Sequence, residues 1–580
     1  MVLVTVAALV VGYGIVLAYT AYQVNRHLRD AQVAVAMLRA DLVAPHAPAT
    51  QVSDHLATVQ RESAAARSLT DGPVWGMPAR LPWMGPPFVT VRGAAGAVDE
   101  LATEVLPDLR AVRHDVLGDK LATGHGSIDL TPLIAAQQPL EHASTATDTI
   151  LGSVRALPTT GLGTVDSARS TLLSQVTDLA GQLRTTRDTV DLLPPMLGAQ
   201  GTRRYLMAFQ NNAEARGLGG LPGGYAILRA DHGKVSFERF GIDSDFAGLD
   251  VPTTGFDADF LSHYEGSDVG HFFGNVTVSP HFPYAAELLL RFWQAKAGER
   301  LDGVIATDPS ALAMLLKATG PARMADGTVV TADNVVALSE RDTYARFDDQ
   351  VERKRFLVDL SKAVGDHVLS RGPSNASGLI KALGNAIDER RLVVYSTAPQ
   401  EQRLLAKYPV AGQLDDTAGL FSGVVINNAG GNKLDYYLAR NVTYTSACPG
   451  PDPTATVTIK LTNTAPATGL GSYAAGTADP AQAGQPLGTS RLLVGYYATK
   501  GAHFNSPTLD GKPTLLSSDT ERGRPVFTAT VDLPPGVTRT LVLHVEEPPA
   551  ARGPVTTWVQ PLVLPQTTKV RPASCGTKTR

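Results

Sequence analysis

The sequence predicts a multidomain protein with an amino-terminal transmembrane helix and α-helical stalk, a central α/β domain and a carboxyl-terminal β-sandwich. Three observations lead to this fold class. The first 25 residues carry no charge, and apolar residues then recur at helical spacing as far as residue 195. After residue 435 the sequence shows strand-like alternation of Val, Thr, Leu and Tyr in segments that Pro and Gly separate. A chain of 580 residues is also too long for one ordinary core. We therefore place the domains at residues 1–25, 26–195, 196–435 and 436–580.

The amino terminus has the length and composition of a membrane anchor. No charged side chain occurs from Met1 to Asn25, Val2 to Tyr19 is almost wholly apolar, and about 20 such residues cross a bilayer. The alternative is a cleaved signal peptide, but its apolar region is only about 7–15 residues long and follows a basic segment. Arg26 and Arg29 favour an inside carboxyl side, although large domains translocate regardless of such charges. We expect a single-pass protein of the cell membrane, in contact with membrane lipid and largely extracytoplasmic.

Net charge and cysteine content narrow the class of protein further. Lys and Arg total 51 against 55 Asp and Glu, a formal charge of −4, so no nucleic-acid partner is expected. The chain lacks zinc-ligand spacing, a Walker A sequence and HExxH. Cys448 and Cys575 are the two cysteines, and in an exported chain such a pair predicts one disulfide. Two unpaired thiols in a cytosolic protein are the alternative.

The region before residue 195 is predicted to be a helical stalk. Apolar residues recur at helical spacing in residues 22–42, 51–69, 94–117, 132–157 and 164–193. Proline and tryptophan interrupt this pattern between residues 72 and 88, where we expect a loop that caps the bundle or packs against lipid headgroups. Few residues of catalytic type occur here, so the stalk is expected to act as a spacer.

The central domain begins with three predicted strands and a loop that has the composition of a binding site. The strands are Tyr205–Phe209, Tyr225–Ala230 and Lys234–Phe240. Between the first two strands a run of glycines follows a polar segment that contains Gln210, Asn211, Asn212, Glu214 and Arg216. Asn427 and Asn428 follow another predicted strand in the same way. Two such loops at one end of an open α/β sheet would bind a ligand, whereas the alternative is that Asn and Gly only form turns.

A strand and a helix are predicted from their capping residues. Val304–Ala306 has the composition of a buried strand, and Asp308 stands where an N-cap accepts backbone N–H groups. Gly320 ends the predicted helix Ala311–Ala318. Capping explains Asp308 without a metal.

The carboxyl-terminal region alternates as strands do. About six strands are predicted, which is enough for a sandwich: Asn441–Cys448, Ala455–Thr462, Arg491–Ala498, Pro525–Leu533, Thr538–Glu546 and Thr556–Leu562.

Four ordered motifs carry a resemblance to a known family. The segment YLMAFQNNAEARGLGGLPGGYAILRADHGKV, which begins at Tyr205, resembles the signature of a bacterial envelope family, common in actinobacteria, known as domain of unknown function 4012. The resemblance continues through Leu301–Ala322, Asp388–Ser396 and Ile426–Val442. This family has no assigned chemistry, so the resemblance implies a class of protein and not an activity.

A second, more distant resemblance concerns an arginine and aspartate segment. Residues 338–360, LSERDTYARFDDQVERKRFLVDL, are similar to a segment of the LytR-CpsA-Psr family, whose members transfer glycopolymers from a polyprenyl diphosphate carrier. Tyr344, Arg346 and Asp349 match that family's positions, but its Arg-Gln pair is absent. The resemblance implies a LytR-CpsA-Psr-like α/β domain in which Arg216, Arg346 and Arg353 act on diphosphate, aided by Arg341. It also implies Asp245 and Asp349 as ligands of Mg²⁺, the one expected cofactor.

Two functions from different classes remain open at this stage. The first is an envelope protein that binds, and as an enzyme transfers, a phosphorylated or polyprenyl-diphosphate-linked glycan or cell-wall polymer. The second is a non-catalytic scaffold or surface interaction protein in which the Arg and Asp residues pair with one another. A serine hydrolase is a weaker third, because no Gly-x-Ser-x-Gly sequence occurs. Protein partners are not indicated.

Overall fold

The computed structural model describes residues 2–43, 48–116, 122–124, 126–371, 376–446, 453–478 and 484–572. The chain divides into two compact units, one made of Met1–Thr123 and Ser127–Gly201, the other of Gly124–Gly126 and Thr202–Arg580. The first unit is mainly helical, and the second contains an α/β sheet and a β-sandwich. Every predicted site residue belongs to the second unit.

Long helices with packed apolar faces make up the first unit. Its elements are α1 (Val2–Val43), α2 (Ala49–Asp71), α3 (Pro73–Ala79), α4 (Gly85–Glu100), a π-helical segment (Leu101–Val105), α5 (Leu106–Val116), the short strands β1 (Ala122–Gly124) and β2 (Ser127–Ile128), α6 (Thr131–Arg155) and α7 (Gly163–Met196). Ala34 and Leu38 of α1 pack with Val52, Leu56 and Val59 of α2. Residues three or four apart lie on one helix face, so the apolar spacing of the sequence produces this packing.

The predicted transmembrane anchor at residues 1–25 is wrong. Among the described residues, no helix combines the length and the apolar character needed to cross a bilayer. From Thr20 onward α1 buries one face, including Val24, Ala31 and Leu38, and exposes charged side chains elsewhere, as helices packed on protein do. The side chains of residues 1–10 lie outside the described part of the chain. The predicted single-pass, extracytoplasmic location depended on this anchor, so it is no longer supported.

The predicted disulfide also lacks support. Cys448 and Cys575 both lie outside the described residues, and no disulfide occurs within the ranges given above.

The α/β part of the second unit is a mixed sheet with helices packed on it. Its elements are β3 (Arg203–Asn211), β4 (Leu221–Asp231), β5 (Lys234–Ile242), a 3₁₀ turn (Asp243–Phe246), α8 (Ala258–His263), α9 (Phe282–Ala297), β6 (Gly303–Thr307), α10 (Pro309–Thr319), β7 (Ala322–Arg323), β8 (Val329–Val330), α11 (Val335–Ala337), a π-helical segment (Leu338–Asp342), α12 (Thr343–Arg346), α13 (Gln350–Arg371), α14 (Ala376–Asp388), β9 (Leu392–Ser396) and α15 (Pro399–Leu405). Within this unit the strand order is β5-β4-β3-β6-β9. β3 and β6 are parallel, and the other neighbours are antiparallel.

Alternation along β3 divides its side chains between two environments. Leu206 and Ala208 are buried with Phe292 and Trp293 of α9 in the main apolar core. Phe209, which points to the opposite face of the sheet because successive strand residues alternate, lines a space next to α13. The sheet is therefore covered on both faces at the end that leads into the glycine-rich loop.

The rest of the second unit is a two-sheet sandwich. Its elements are β10 (Phe421–Asn428), β11 (Leu438–Thr445), β12 (Thr454–Asn463), α16 (Ser472–Ala475), β13 (Ser490–Ala498), β14 (His503–Leu509), β15 (Lys512–Pro513), β16 (Ser517–Glu521), β17 (Arg524–Leu533), β18 (Thr538–Glu546), β19 (Thr556–Val559) and β20 (Thr567–Arg571). The sheets have the orders β16-β17-β13-β10-β19 and β15-β14-β18-β12-β11-β20. Alternate residues such as Ile459, Tyr496 and Leu543 fill the core between them.

Strand β10 belongs to the sandwich, although its sequence position led us to place it in the α/β domain. It pairs antiparallel with β13, Ile426 opposite Val494, and parallel with β19. Val424 and Ile426 point into the sandwich core. The two asparagine loops therefore follow strands of different sheets, and their sequence similarity does not reflect one sheet edge.

Candidate functional site

The glycine-rich loop after β3 folds back on protein and not around an open space. A Cβ on Gly217 would lie 2.0 Å from the Val278 carbonyl oxygen, and one on Gly220 would lie 2.3 Å from that of Asn211. These glycines are required because backbone passes directly against backbone. The loop that the sequence identified as a ligand site is in this respect a packing element.

Arg216 is buried, and its guanidinium is bonded to protein on every side. Its Nε donates to Asn275 Oδ1 at 3.0 Å, its Nη1 to the Ala215 and Asn428 carbonyls, and its Nη2 to Glu214 Oε1 at 3.0 Å. A diphosphate oxygen would have to replace one of these acceptors. The sequence predicted that Arg216 contacts phosphate, whereas in the structure its guanidinium makes contacts within the protein.

Glu214 forms a second ion pair, with Lys433, in the same buried cluster. Burial alone would raise the pKa of Glu214, but Lys433 and Arg216 outweigh it and hold that pKa below its ordinary value. Burial likewise acts against the charged form of Lys433, yet the carboxylate of Glu214 raises the pKa of the lysine. The glutamate and the lysine are thus a charged pair in the interior.

The asparagines of the second loop close the cluster. Asn427 Oδ1 accepts the Gly217 N–H at 2.9 Å, and Asn428 Nδ2 donates to Asp435 at 2.7 Å. Asp435 also accepts the Ala215 N–H, and burial raises its pKa to about 6. The structure therefore brings the two predicted loops together, by contact between the α/β part and the sandwich.

The predicted arginines of residues 338–360 separate into different surroundings. Arg353 is buried and donates to the Phe347 carbonyl, with its guanidinium 3.7 Å from the ring centre of Tyr473. Arg346 is half exposed and faces Asp326 at 3.7 Å. Arg341, also half exposed, binds its neighbour Asp342 at 2.6 Å. These side chains do not converge on one anion.

Asp245 and Asp349, the predicted Mg²⁺ ligands, also make separate contacts. Asp245 Oδ2 accepts from the Tyr225 hydroxyl at 2.9 Å, and Asp349 Oδ1 accepts the Glu352 N–H at 2.8 Å at the start of α13. In the described residues no group of three or more His, Cys, Asp or Glu side chains could hold a metal. The contacts of Asp245 and Asp349 are therefore those of a hydroxyl partner and a helix cap, and their binding of Mg²⁺ stays a prediction.

The remaining predicted ligand residues lead to a carboxyl group that the sequence did not indicate. Asn211 Nδ2 donates to the Tyr344 hydroxyl, while the Asn212 N–H donates to Glu340 Oε1 at 2.9 Å. Glu340 is buried beside a cavity of about 70 Å³ at the ends of β3 and β5. Glu340 belongs to the π-helical segment Leu338–Asp342 and Tyr344 to the helix α12 that follows it, and no sequence pattern marked Glu340.

A much larger space, which we call the sandwich groove, lies on the outer face of the sheet that contains β10. Its volume is about 950 Å³. Strands β10, β13 and β17 form the floor, α8 and the turn after it one wall, and residues 513–519 the other. The lining residues are His263, Tyr264, Ser267, Val425, Asn427, Leu493, Gly495, Tyr497, Pro513, Thr514, Leu515, Leu516, Ser517, Asp519, Val526, Thr528 and Thr530.

Buried hydrogen bonds hold the wall of the groove to its floor. The hydroxyls of Tyr264 and Tyr497 are 2.9 Å apart, and both donate to Glu521. Ser279 also donates to Glu521, and His263 lies 3.3 Å from Asp519. Because these segments are far apart in the chain, no local pattern predicted the groove. The outward position of the threonines in β17 can, however, be read from their alternation with core residues in the sequence.

Comparison with known proteins identifies one family. No curated protein and no solved structure is significantly similar to the chain. Residues 200–344 match the model of the family described as "Protein of unknown function (DUF4012)". The matched segment runs from just before β3 to Tyr344 and so contains the glycine-rich loop, Glu340 and the cluster residues Glu214 and Arg216. Residues 200–344 are therefore similar to the DUF4012 family, in agreement with the resemblance carried by the motifs in this part of the sequence.

Proposed function

We propose that this protein is a non-catalytic binding protein whose sandwich groove takes a neutral oligosaccharide. The observation that carries this proposal is the groove itself, whose volume of about 950 Å³ is at the upper end of the range of small-molecule sites, roughly 300–1,000 Å³. The sequence left two functions open. This proposal takes the glycan ligand from the first function and the non-catalytic role from the second.

The lining of the groove favours an uncharged ligand. It contains no Lys or Arg, and its histidine His263 and carboxylate Asp519 face one another. Phosphorylated ligands need cationic donors, which are absent from this lining. Hydroxyl groups such as those of Thr528 and Thr530 suit sugar hydroxyls, and Val425 and Leu493 offer apolar surface to ring faces.

The contacts of the predicted catalytic arginines argue against a transferase. Arg216 and Arg353 are buried. Arg216 donates to Glu214 and to backbone carbonyls, and Arg353 donates to the Phe347 carbonyl and lies over the Tyr473 ring. Arg346 is the one of the three that keeps an exposed guanidinium. Stabilising the charge of a diphosphate transition state requires several free donors at one place, and one exposed arginine does not supply them.

Calorimetry with the full chain tests this proposal. A panel of neutral oligosaccharides is compared with a polyprenyl diphosphate analogue, with and without Mg²⁺. Gly495→Leu is expected to abolish sugar binding, because a Cβ at Gly495 meets only ordinary contacts at 3.5 Å and the longer side chain fills the groove floor. Thr528→Ala should weaken binding about three- to tenfold, the effect of one lost hydrogen bond.

Thr458→Ala is the matched control, because Thr458 lies between core residues of β12 and so faces outward from the other sheet. It should leave binding unchanged. If the diphosphate analogue binds, needs Mg²⁺ and is lost in Arg346→Ala while both groove variants bind normally, the transferase function is the better one and the proposal fails.

A further inference from the structure

The cavity beside Glu340 has apolar walls and is separate from the sandwich groove. It holds about 70 Å³ between the ends of β3, β4 and β5 and the helix α13, and Phe209, Phe240, Leu312 and Leu357 form much of its surface. A water occupies about 30 Å³ of liquid, so the cavity has room for about two waters or for a group of that size. It shares no lining residue with the groove.

Glu340 presents the cavity with one unused polar atom. Its Oε1 accepts the Asn212 N–H, while its Oε2 is buried and, among the described residues, has no hydrogen-bond partner. Burial raises the pKa of Glu340 to about 8, an effect to which the nearby Asp308 carboxylate adds. Near pH 7 the carboxyl is therefore neutral. Because Oε1 is the acceptor, the proton belongs on Oε2, which makes that atom a hydrogen-bond donor.

The charges around Glu340 balance one another. Lys354 Nζ lies 2.6 Å from Asp243 Oδ1, and Arg391 Nη1 lies 2.7 Å from Asp308 Oδ2. Lys433, which also acts on Glu340, is paired with Glu214, and the Tyr344 hydroxyl is neutral because burial raises its pKa to about 12. Each of these three cations is paired with a carboxylate, so a neutral acceptor suits the donor better than an anion does.

The other hydroxyls that line the cavity are already engaged. Ser339 donates to the Val335 carbonyl and Ser361 to the Leu357 carbonyl, each within its own helix. The cavity thus offers a small group largely apolar walls and, beside the polar side chains of Gln210, Asn211 and Lys354, the donor of Glu340. An acyl group has both matching parts, a methyl for the walls and a carbonyl oxygen for the donor.

We propose that this cavity binds a short neutral acyl group, such as the acetyl of an N-acetylated amino sugar, whose carbonyl oxygen accepts a hydrogen bond from Glu340. A neutral buried carboxylic acid is an effective donor of this kind. The binding site does not depend on the sandwich groove, so either proposal can fail without the other.

Binding of N-acetylglucosamine and acetamide to the full chain, followed by NMR titration, tests this inference. Glucose, which is neutral and has no acyl group, is the control ligand. Both acyl compounds should perturb the signals of residues that line the cavity, and glucose should not. Acetamide binding without N-acetylglucosamine binding would assign the site to an acyl group that is not on a sugar.

Variants of Glu340 test the donor. Glu340→Gln keeps an acceptor for Asn212 and a donor in the cavity, so binding should persist and become independent of pH. Wild-type binding should weaken at least tenfold as pH rises through about 8, because the ionised carboxylate cannot donate. Glu340→Met, which has no donor, should lose binding.

A direct measurement covers the case in which Glu340→Met does not fold. An acceptor in the cavity stabilises the protonated form of Glu340, so saturating acetamide should raise the pKa of its carboxyl, read by carbon NMR. The inference is overturned if that pKa does not move, if glucose binds as the acyl compounds do, or if wild-type binding is constant from pH 6 to pH 9. Any of these results would mean that the cavity holds water only.

Discussion

The buried cluster formed by the two loops has the residue types of a phosphate site, but its side chains contact one another and the backbone. Its members are Glu214, Arg216, Asn427, Asn428, Lys433 and Asp435. Arginine forks bind carboxylates and carbonyls as well as phosphates, so Arg216 satisfies its chemistry with Glu214 and the Asn428 carbonyl. Asn427 and Asn428 bind backbone groups in the same way. A side chain that binds phosphate must keep free hydrogen-bond donors, whereas a structural side chain uses them within the protein. Which of the two occurs depends on partners that are distant in the chain.

Lys433→Met should destabilise the protein strongly. It leaves Glu214 buried with one cation fewer, and breaking a buried ion pair costs about 3–5 kcal/mol. Urea unfolding at pH 7 measures the change in the free energy of unfolding. The double variant Glu214→Gln/Lys433→Met should not recover the loss, because it leaves the buried Arg216 without its carboxylate partner.

The pH dependence of that stability has a defined sign. Since the folded pKa of Glu214 lies below the ordinary value of 4.5, its stabilising effect is present above that pH and is lost as pH falls through the folded pKa. A Lys433→Met protein as stable as the wild type at pH 7 would show that the pair contributes nothing.

Individual helices and turns follow their local sequence closely. Asp308 Oδ1 accepts the Ala311 N–H at 2.7 Å at the start of α10, which confirms the predicted N-cap, and Gly320 follows the helix as predicted. The same carboxylate also binds Arg391 from 83 residues later in the chain. The cap depends on three neighbouring residues and was predictable, whereas the ion pair was not.

The glycines of the loop after β3 provide a test at the level of this one loop. Gly217→Ala should cost about 3 kcal/mol or more, because the new Cβ collides with the backbone of Val278. Gly223→Ala is the control, since its Cβ would meet its nearest neighbour at 3.9 Å, and it should be neutral or stabilising by up to about 1 kcal/mol. Thermal unfolding of the two variants gives the comparison. Equal melting temperatures would contradict a packing role for this loop.

Across the second unit, the α/β part and the sandwich share hydrogen bonds in the protein interior. Gln560 Nε2 donates to the Arg216 and Ile426 carbonyls, and its Oε1 accepts the Ile426 N–H. Asn212 donates to the Pro561 carbonyl at 2.8 Å. These contacts join the segment after β19 to the glycine-rich loop, so the two parts are expected to unfold together.

A chain truncated after residue 435, our predicted domain boundary, should therefore fail to fold. It would keep β10 without β13 and β19, exposing Val424 and Ile426 to solvent. Residues 202–580 are the control and should melt in one cooperative transition. Well-dispersed amide NMR signals from residues 202–435 would show that the α/β part is independent.

Local sequence patterns predicted most elements, the family resemblance and the nature of each half of the second unit. Helical spacing, strand alternation, turns and caps are properties of a few neighbouring residues, so β3 to β6, α9, α10 and the main strands of the sandwich were predictable. The prediction of a membrane anchor failed because an apolar run indicates that its side chains are buried, but not whether lipid or protein buries them.

Which polar side chains remain available for a ligand depends on contacts between distant parts of the chain. Arg216, Arg353 and Lys433 are engaged by groups far away in the sequence, and Glu340, which no motif marked, keeps a free oxygen beside a cavity. Burial and pairing set the charge and the donors of a side chain, and both depend on long-range contacts. The availability of these polar side chains therefore depends on the packing around β10, α13 and the glycine-rich loop, and not only on the residue types that the motifs contain.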